Sequence, residues 1–136
     1  MVEERLPAAV ADAYDATLRR VLGGAGLTVA IMGMGDDGHT ASLFPGADFD
    51  AGDRASDRFA AHTLAPPTSP VADRITLTLG LLNRTRHHVF LVTGAKKAPL
   101  VASIRAGGAC PALPAACIEG SESNVWFLDD AADGAR

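Results

Sequence analysis

Residues 27–46, LTVAIMGMGDDGHTASLFPG, place a short apolar run directly before a glycine-rich loop. The run at residues 27–32 is continuously apolar and partly β-branched, which is typical of a strand buried on both faces of a parallel sheet. In open α/β sheets, ligands bind at the carboxyl ends of such strands. Because glycine lets the backbone come close to a ligand, the loop at residues 33–46 is the first candidate for a binding site.

Helical and strand patterns alternate along the chain. Apolar residues at helical spacing (Leu6, Val10, Tyr14, Leu18 and Val21) predict an amphipathic helix over residues 6–22 that packs on a sheet. Further strands are predicted at residues 59–64, 74–79, 88–93 and 124–128, and helices at residues 80–86, 97–106 and 129–132. This order predicts an α/β fold with a parallel sheet. No repeat or linker divides the chain, so we expect one domain over residues 1–136.

Composition narrows the classes of function. The net charge is −4 and no basic tract is present, so the chain lacks the electrostatic signature of a nucleic-acid binder. No stretch approaches the ~20 apolar residues of a membrane-spanning helix. The acidic start has no signal-peptide pattern, so we expect a cytoplasmic protein. In that compartment Cys110 and Cys117 are expected to be reduced thiols.

The loop itself allows more than one function. Gly33, Gly35 and Gly38 have the G-x-G-x-x-G spacing of a dinucleotide-binding turn, but Pro45 stops the long helix that such a site requires. The alternative is proton chemistry, with His39 as a base near neutral pH and Asp37 holding its tautomer. A capping role for Asp37 and a packing role for His39 fit the residues equally well.

Two other site chemistries find less support in the loop. A metal site built on Asp36, Asp37 and His39 has no second ligand cluster at a recognisable spacing. Ser42 as a nucleophile lacks the G-x-S-x-G surroundings of a nucleophile elbow. The residues therefore favour either a simple turn or a base on a turn, without a metal.

The segment GMGDDGHTASLFPG at residues 33–46 resembles the signature of the 6-phosphogluconolactonase family. The resemblance continues through RITLTLGLLNRTRHHVFLVTGAKKAPL at residues 74–100 and VWFLDDAA at residues 125–132. Glucosamine-6-phosphate deaminases of the same superfamily share G-x-D-G-H but carry a glutamate before the proline. Phe44 stands there in this chain, so the sequence is more similar to the lactonases.

The resemblance implies hydrolysis of 6-phospho-D-glucono-1,5-lactone in the pentose phosphate pathway, on a Rossmann-like fold and without a cofactor. His39 matches the family's general base and Asp37 its acidic neighbour. Gly35 and Gly38 match the turn, where their amides are expected to hold the developing oxyanion. The remaining implied substrate-binding positions are Thr40, Arg74 and Lys97, of which Lys97 resembles a phosphate ligand.

The chain departs from the family pattern at its start. The family begins with further βα units that carry a sugar-phosphate loop, and neither that loop nor its Asp-Glu-Arg segment is found in this sequence. We therefore expect the C-terminal part of a lactonase, truncated at the N-terminus. Its alternatives are an impaired sugar-phosphate-binding fragment, half of a split enzyme, or an isomerase or deaminase of the superfamily. Self-association or an N-terminal complementing chain is the expected partnership.

Overall fold

The secondary structure follows the predicted order. A computed structural model of the chain describes residues 8–46, 57–107, 110 and 112–134. Its elements are α1 (Ala8–Leu22), β1 (Val29–Met32), β2 (Ala60–Leu64), β3 (Asp73–Leu77), α2 (Leu79–Arg84), β4 (His87–Val92), α3 (Ala98–Arg105), β5 (Ser123–Leu128) and α4 (Asp130–Asp133), with 3₁₀ turns at Ala95–Lys97 and Pro114–Cys117. The start of the predicted first helix and the polar stretch at residues 47–56 lie outside the described residues.

A three-stranded parallel sheet in the order β1-β4-β5 forms the centre of the fold. Met32 lies opposite Phe90, and Phe90 opposite Trp126, in one row across the three strands. The face that carries this row packs on the core, in which Leu82 of α2 and Val101 of α3 are also buried. The sheet and its helices confirm the predicted α/β class.

The strands β2 and β3 correct one part of that prediction. They pair with each other as a separate antiparallel sheet, with His62 opposite Ile75, and do not extend the parallel sheet. The loop at residues 65–72 reverses the chain between them, whereas a parallel pairing needs a crossover of a dozen or more residues, usually a helix. The alternation at residues 74–79 correctly predicted a strand, but the short connection determined its partner.

One face of the parallel sheet carries an uncovered apolar surface. Five side chains that alternate with the core row are each between 43% and 73% exposed. These five residues, called the bare face below, are Val29, Ile31, Leu91, Val125 and Phe127. A doubly wound sheet buries both of its faces under helices. Within the described residues, this sheet buries only one.

The helix α1 also differs from expectation. The predicted contact stripe is largely exposed, with Val10, Tyr14 and Val21 between 39% and 70% accessible. The helix instead lies against β2, with Ala11 buried, and the carboxylate of Asp15 accepts from the Phe59 and Ala60 amides. The apolar spacing located the stripe correctly, but in the described residues the helix approaches the hairpin from another side.

The cysteines are joined as a disulfide, so the expectation of reduced thiols is wrong for this structure. The 3₁₀ turn Pro114–Cys117 folds the chain back towards Cys110 and leaves the two Cα atoms 5.1 Å apart, inside the range that a disulfide spans. The bond closes the segment that lies beneath the glycine-rich loop. Among the described helices, none has the length and apolar character needed to cross a membrane.

Candidate active site

The candidate site lies at the carboxyl edge of the parallel sheet, where three strands end side by side. The glycine-rich loop follows β1, Gly94 turns the chain after β4, and Asp129 follows β5. The Asp129 carboxylate accepts from the Gly94 amide at 3.0 and 3.1 Å and caps α4 through the Ala132 amide at 2.7 Å. This one side chain therefore links the turns that follow β4 and β5.

His39 and Asp37 form a close pair in the loop. Nδ1 of His39 lies 2.6 Å from Oδ1 of Asp37, and the same oxygen accepts from the His39 backbone amide at 3.0 Å. An ionised carboxylate only accepts hydrogen bonds. In the neutral imidazole the proton therefore sits on Nδ1, and Nε2 keeps its lone pair.

The charge state of Asp37 follows from the same contacts. Partial burial by itself would raise the pKa of this carboxyl, but the hydrogen bonds from His39 and the attraction of its ring outweigh that effect and lower it. Asp37 is thus ionised across the neutral range. A carboxylate in this position both orients an imidazole and stabilises the imidazolium that forms when the ring accepts a proton.

Gly35 is required by the position of the imidazole. A Cβ atom on Gly35 would lie 2.1 Å from Nδ1 of His39 and 2.8 Å from Oδ1 of Asp37. Gly38 has a different reason to be glycine, since its φ of +83° is a conformation that L side chains rarely adopt. Beneath it, Leu113 packs where a Cβ would stand, and the carbonyl of Gly38 accepts from the Ala115 amide at 3.0 Å.

The amides of these two glycines, for which an oxyanion role is predicted, are engaged within the loop. The Gly35 amide donates to the His39 carbonyl at 2.8 Å, and the Gly38 amide donates to the Gly35 carbonyl at 3.1 Å. Both donors close the loop on itself and are not directed at a ligand. Their geometry gives the loop its shape, and the oxyanion role, for which these bonds would have to open, stays a prediction.

Aromatic packing and an unusual backbone conformation complete the surroundings of the imidazole. The ring of Phe44 lies against that of His39, with centroids 4.8 Å apart and planes tilted by 49°. Ala41, two residues after the histidine, has a φ of +51°, which is uncommon for a residue other than glycine. Such conformations cluster at functional sites.

An open polar cavity of about 400 Å³ contains the pair and brings Arg74 to it. It is lined by Asp37, His39, Ala41, Ser42, Phe44, Pro66, Thr68, Ser69 and Arg74. The Arg74 guanidinium donates to the Ser69 hydroxyl at 2.9 Å and adds a fixed positive charge to the cavity. The volume falls within the range of small-molecule sites.

The other predicted site residues lie near this cavity in different roles. Thr40 is buried, and its hydroxyl donates to the Gly33 carbonyl at 2.7 Å. Lys97 does not line the cavity; its ammonium contacts the carboxylate of Asp36, which lies on the glycine-rich loop. The structure thus brings Asp37, His39 and Arg74 together and places Lys97 beside them. No group of three or more His, Cys, Asp or Glu side chains suited to a metal ion occurs in the described ranges.

Three contributors were not recognised from the sequence. In the sequence, Phe44 indicated only that the acid of the deaminases is missing, and no neighbouring residue predicted that its ring packs on His39. Ser69 belongs to a proline-rich loop whose path the sequence does not reveal. The left-handed backbone of Ala41 carries no signal, because alanine is not a residue that favours it.

Comparison with known proteins agrees with the motif. A family model described as "Glucosamine-6-phosphate isomerases/6-phosphogluconolactonase" matches residues 1–126. The chain belongs to this family. Its resemblance to the lactonases, inferred from residues 33–46, is thereby confirmed.

Individual members of the glucosamine-6-phosphate isomerase/6-phosphogluconolactonase family show how much of a relative the chain represents. It is 38% identical to a 6-phosphogluconolactonase of Mycobacterium leprae over 76% of its own length and 40% of the relative's. It is 47% identical to one of Caulobacter vibrioides over 66% and 38% of the two lengths. The solved 6-phosphogluconolactonase of Trypanosoma brucei superposes with a TM-score of 0.78 at 28% identity, over 98% of this chain and 57% of that one. The chain spans about half the length of these relatives.

Proposed function

We propose that the chain contributes the hydrolytic site for 6-phospho-D-glucono-1,5-lactone, with 6-phospho-D-gluconate as the product. The observation that carries this proposal is the 2.6 Å contact between His39 and Asp37 in an open cavity that also holds Arg74. Membership of a family that contains the lactonases supports the substrate class. A dinucleotide site receives no comparable support, because the loop's glycines shape a turn around an imidazole.

The chemistry needs one base and no redox step. Nε2 of His39 takes a proton from a water molecule while the water oxygen bonds to the lactone carbonyl carbon. The tetrahedral intermediate collapses by breaking the bond between that carbon and the ring oxygen, which receives the proton from the imidazolium. Asp37 stabilises the imidazolium between these two steps. General base catalysis of this kind contributes roughly 10²–10⁴-fold.

The charged side chains provide the phosphate-binding part of the proposal. Arg74 lies in the cavity with His39, and Lys97 lies beside the loop at the end of the neighbouring strand. Arginine and lysine are the residues that bind phosphate oxygens. Gly35 and Thr40 line a second open cavity beside His39, where the substrate would rest, and Gly38 shapes the turn between them. The hydrolysis of an activated ester requires no cofactor.

An isomerase or deaminase activity is less well supported. Phe44 occupies the position at which the deaminases carry an acid, and its ring packs on His39 at 4.8 Å. An apolar ring supplies no second proton-transfer group there. The absence of ammonia release from glucosamine 6-phosphate, measured alongside lactone hydrolysis, would separate the two activities.

The test replaces the base and a matched histidine. His39→Gln should abolish lactone hydrolysis above the spontaneous rate. His87→Gln is the control, since His87 contacts Glu122 at 3.3 Å at the opposite edge of the sheet. Where the unchanged chain hydrolyses the lactone above the spontaneous rate, alone or with a complementing chain, equal activity of His39→Gln would refute the role of His39 as base.

We also propose that full activity requires a complementing chain and that residues 1–136 form one domain in that assembly. The bare face and the exposed stripe of α1 support this, because contiguous apolar surface of this kind marks interaction sites. Among the described strands, β1 is an edge strand of the parallel sheet, with backbone groups able to pair with a further strand. Alone, the chain should bind sugar phosphate weakly and hydrolyse the lactone poorly.

The assembly is tested by adding, in trans, the portion of a family member that this chain does not match. Higher lactonase activity and a defined complex by light scattering are expected. Self-association without a gain in activity, or normal turnover by a monodisperse monomer, would contradict the proposal.

We place the protein in the cytoplasm, because a phosphorylated sugar does not diffuse across membranes. The Cys110–Cys117 disulfide of the structure argues against this location, since disulfides are rare in the cytosol. Fractionation of cells that contain the protein tests it, and recovery of the chain outside the cytoplasmic fraction would refute it.

A further inference from the structure

Two lysines and one carboxylate meet where the turns after β1 and β4 lie side by side. The Lys97 side chain is largely buried, with 14% of its surface exposed, and its ammonium contacts the carboxylate of Asp36. Lys96 is almost fully exposed and lies 3.8 Å from the other oxygen of the same carboxylate. Asp36 therefore lies between a sheltered cation and an exposed one.

The sheet topology explains how residues distant in sequence come together. β1 and β4 are parallel neighbours, so the loops that follow them leave the sheet at the same edge. Gly94, with a φ of +96°, turns the chain sharply after β4 and directs the lysines towards the glycine-rich loop. Asp36 directly precedes Asp37, so the Lys97 contact is next to the residues that orient the proposed base.

We propose that Asp36 is a specificity-determining residue that occupies Lys97 until the phosphate of the substrate displaces it. This inference rests on the proposed function, in which Lys97 binds that phosphate. A carboxylate carries one charge, whereas a phosphate monoester carries about −1.5 to −2 at neutral pH and three acceptor oxygens. The dianion can therefore displace Asp36, and monoanions such as chloride or a free sugar acid compete poorly.

The exposed lysine completes the exchange. When the phosphate takes Lys97, Asp36 is left beside Lys96, which is close enough to receive the displaced carboxylate. If the contact between Asp36 and Lys97 were only a surface ion pair, Lys96 would have no displaced carboxylate to receive. The hydrogen bond from Lys97, followed by its positive charge, lowers the pKa of Asp36, so this carboxylate remains ionised throughout the neutral range.

The experiment measures anion binding by isothermal titration with inorganic phosphate and with 6-phospho-D-gluconate. D36N should bind both about three- to tenfold more tightly than the unchanged chain, because it removes both the competitor and a like charge. Gluconate and chloride, which displace Asp36 poorly, should gain more affinity than the two phosphates, so discrimination in favour of phosphate falls. In kinetics, KM should decrease while kcat changes little.

Two matched variants isolate the effect. E122Q also removes one carboxylate, but Glu122 pairs with Arg86 at the other end of the strands, so the anion affinity of this variant should equal that of the unchanged chain. In the K97M background, D36N should not raise the affinity for phosphate, because the residue for which the anions compete is missing. K96M should leave the D36N gain intact.

The outcomes separate this proposal from the proposed function. Unchanged or weaker phosphate binding by D36N, including no binding by any variant, overturns the role of Asp36 whatever the lactonase assay shows. A Lys97-dependent gain of phosphate affinity in a chain that shows no lactonase activity even with the complementing chain present supports Asp36 and counts against the hydrolytic function. A gain that persists in the K97M background overturns the proposal, because Asp36 would then act only by long-range charge.

Discussion

Gly35→Ala is predicted to disable the candidate base while leaving the fold intact. The added methyl would lie 2.1 Å from Nδ1 and 2.2 Å from Cε1 of His39. The clash involves a side chain that is 32% exposed and free to swing outwards. Gly35 itself does not have a positive φ, so the alanine backbone is not strained. The substitution therefore displaces the ring and spares the main chain.

The size of the effect follows from the distances. To reach the 3.4 Å at which ordinary contact begins, the ring must withdraw by about 1.3 Å, and a misplacement of about 1 Å costs on the order of 10²-fold in rate. The 2.6 Å bond to Asp37 is broken by the same movement, since hydrogen bonds weaken beyond ~3.2 Å. We expect about 10²-fold slower lactone hydrolysis and a loss of stability below about 1 kcal/mol.

The assay compares Gly35→Ala with Gly33→Ala. Gly33 also lies in the loop, has nothing within 4 Å of its would-be Cβ and does not have a positive φ. Hydrolysis is measured above the spontaneous background, with the complementing chain present. Nitrogen-15 spectra of His39 report whether Nδ1 keeps its proton, and thermal unfolding reports the fold.

Unchanged turnover in Gly35→Ala, together with a retained Nδ1 proton, would refute the steric reasoning. Equal impairment of Gly33→Ala would show that the loop tolerates no side chain and that His39 is not the specific target. A large drop in melting temperature for Gly35→Ala alone would mean that the main chain, and not the ring, absorbs the clash.

Three further changes test the fold. Gly26→Ala places a Cβ 2.0 Å from the carbonyl oxygen of Arg84. Because a backbone atom cannot move away as a side chain can, urea denaturation should show a free energy of unfolding lower by about 3 kcal/mol or more. Burial lowers the pKa of His88, so the unfolded chain binds more protons below its ordinary pKa of 6.5. The free energy of unfolding should therefore be greatest above that pH and fall on acidification by at most about 1.4 kcal/mol per pH unit. His88→Gln should flatten this pH dependence. A steeper pH dependence in the variant than in the unchanged chain would contradict the role of His88. Replacing Cys110 and Cys117 by serine removes a short covalent loop and should cost about 2.5 kcal/mol in the same denaturation assay, whereas free thiols titrated in the unreduced, unfolded chain would show that the bond is absent.

The parallel sheet could be predicted because its strands have strong local patterns. The β-branched, apolar segments that form β1 and β4 identify themselves without reference to the rest of the chain. Strand pairing could not be predicted from local patterns alone. β2 and β3 have recognisable alternation, but they pair with each other because the loop that reverses the chain between them is short. The stripe on α1 shows the same limit, because spacing locates an apolar face and does not say what covers it.

The site was predictable only where its parts are close in sequence. Asp37 and His39 are two residues apart, so their pairing could be anticipated from the loop alone. The contact between Asp36 and Lys97 depends on parallel neighbours and had no sequence signal. The sequence could not show where the glycine amides point, because their direction depends on how the loop closes, with Gly35 donating to the His39 carbonyl.

The row that joins Met32, Phe90 and Trp126 also gives the protein a built-in optical reporter. Trp126 is the single tryptophan in the chain. Its indole stacks on the buried ring of Phe90, with centroids 4.0 Å apart and planes inclined by 4°. Intrinsic fluorescence will therefore follow the separation of β4 from β5 and remain silent to rearrangements of the glycine-rich loop. In one sample, tryptophan fluorescence can thus follow global unfolding while the nitrogen-15 spectrum of His39 follows local displacement of the imidazole.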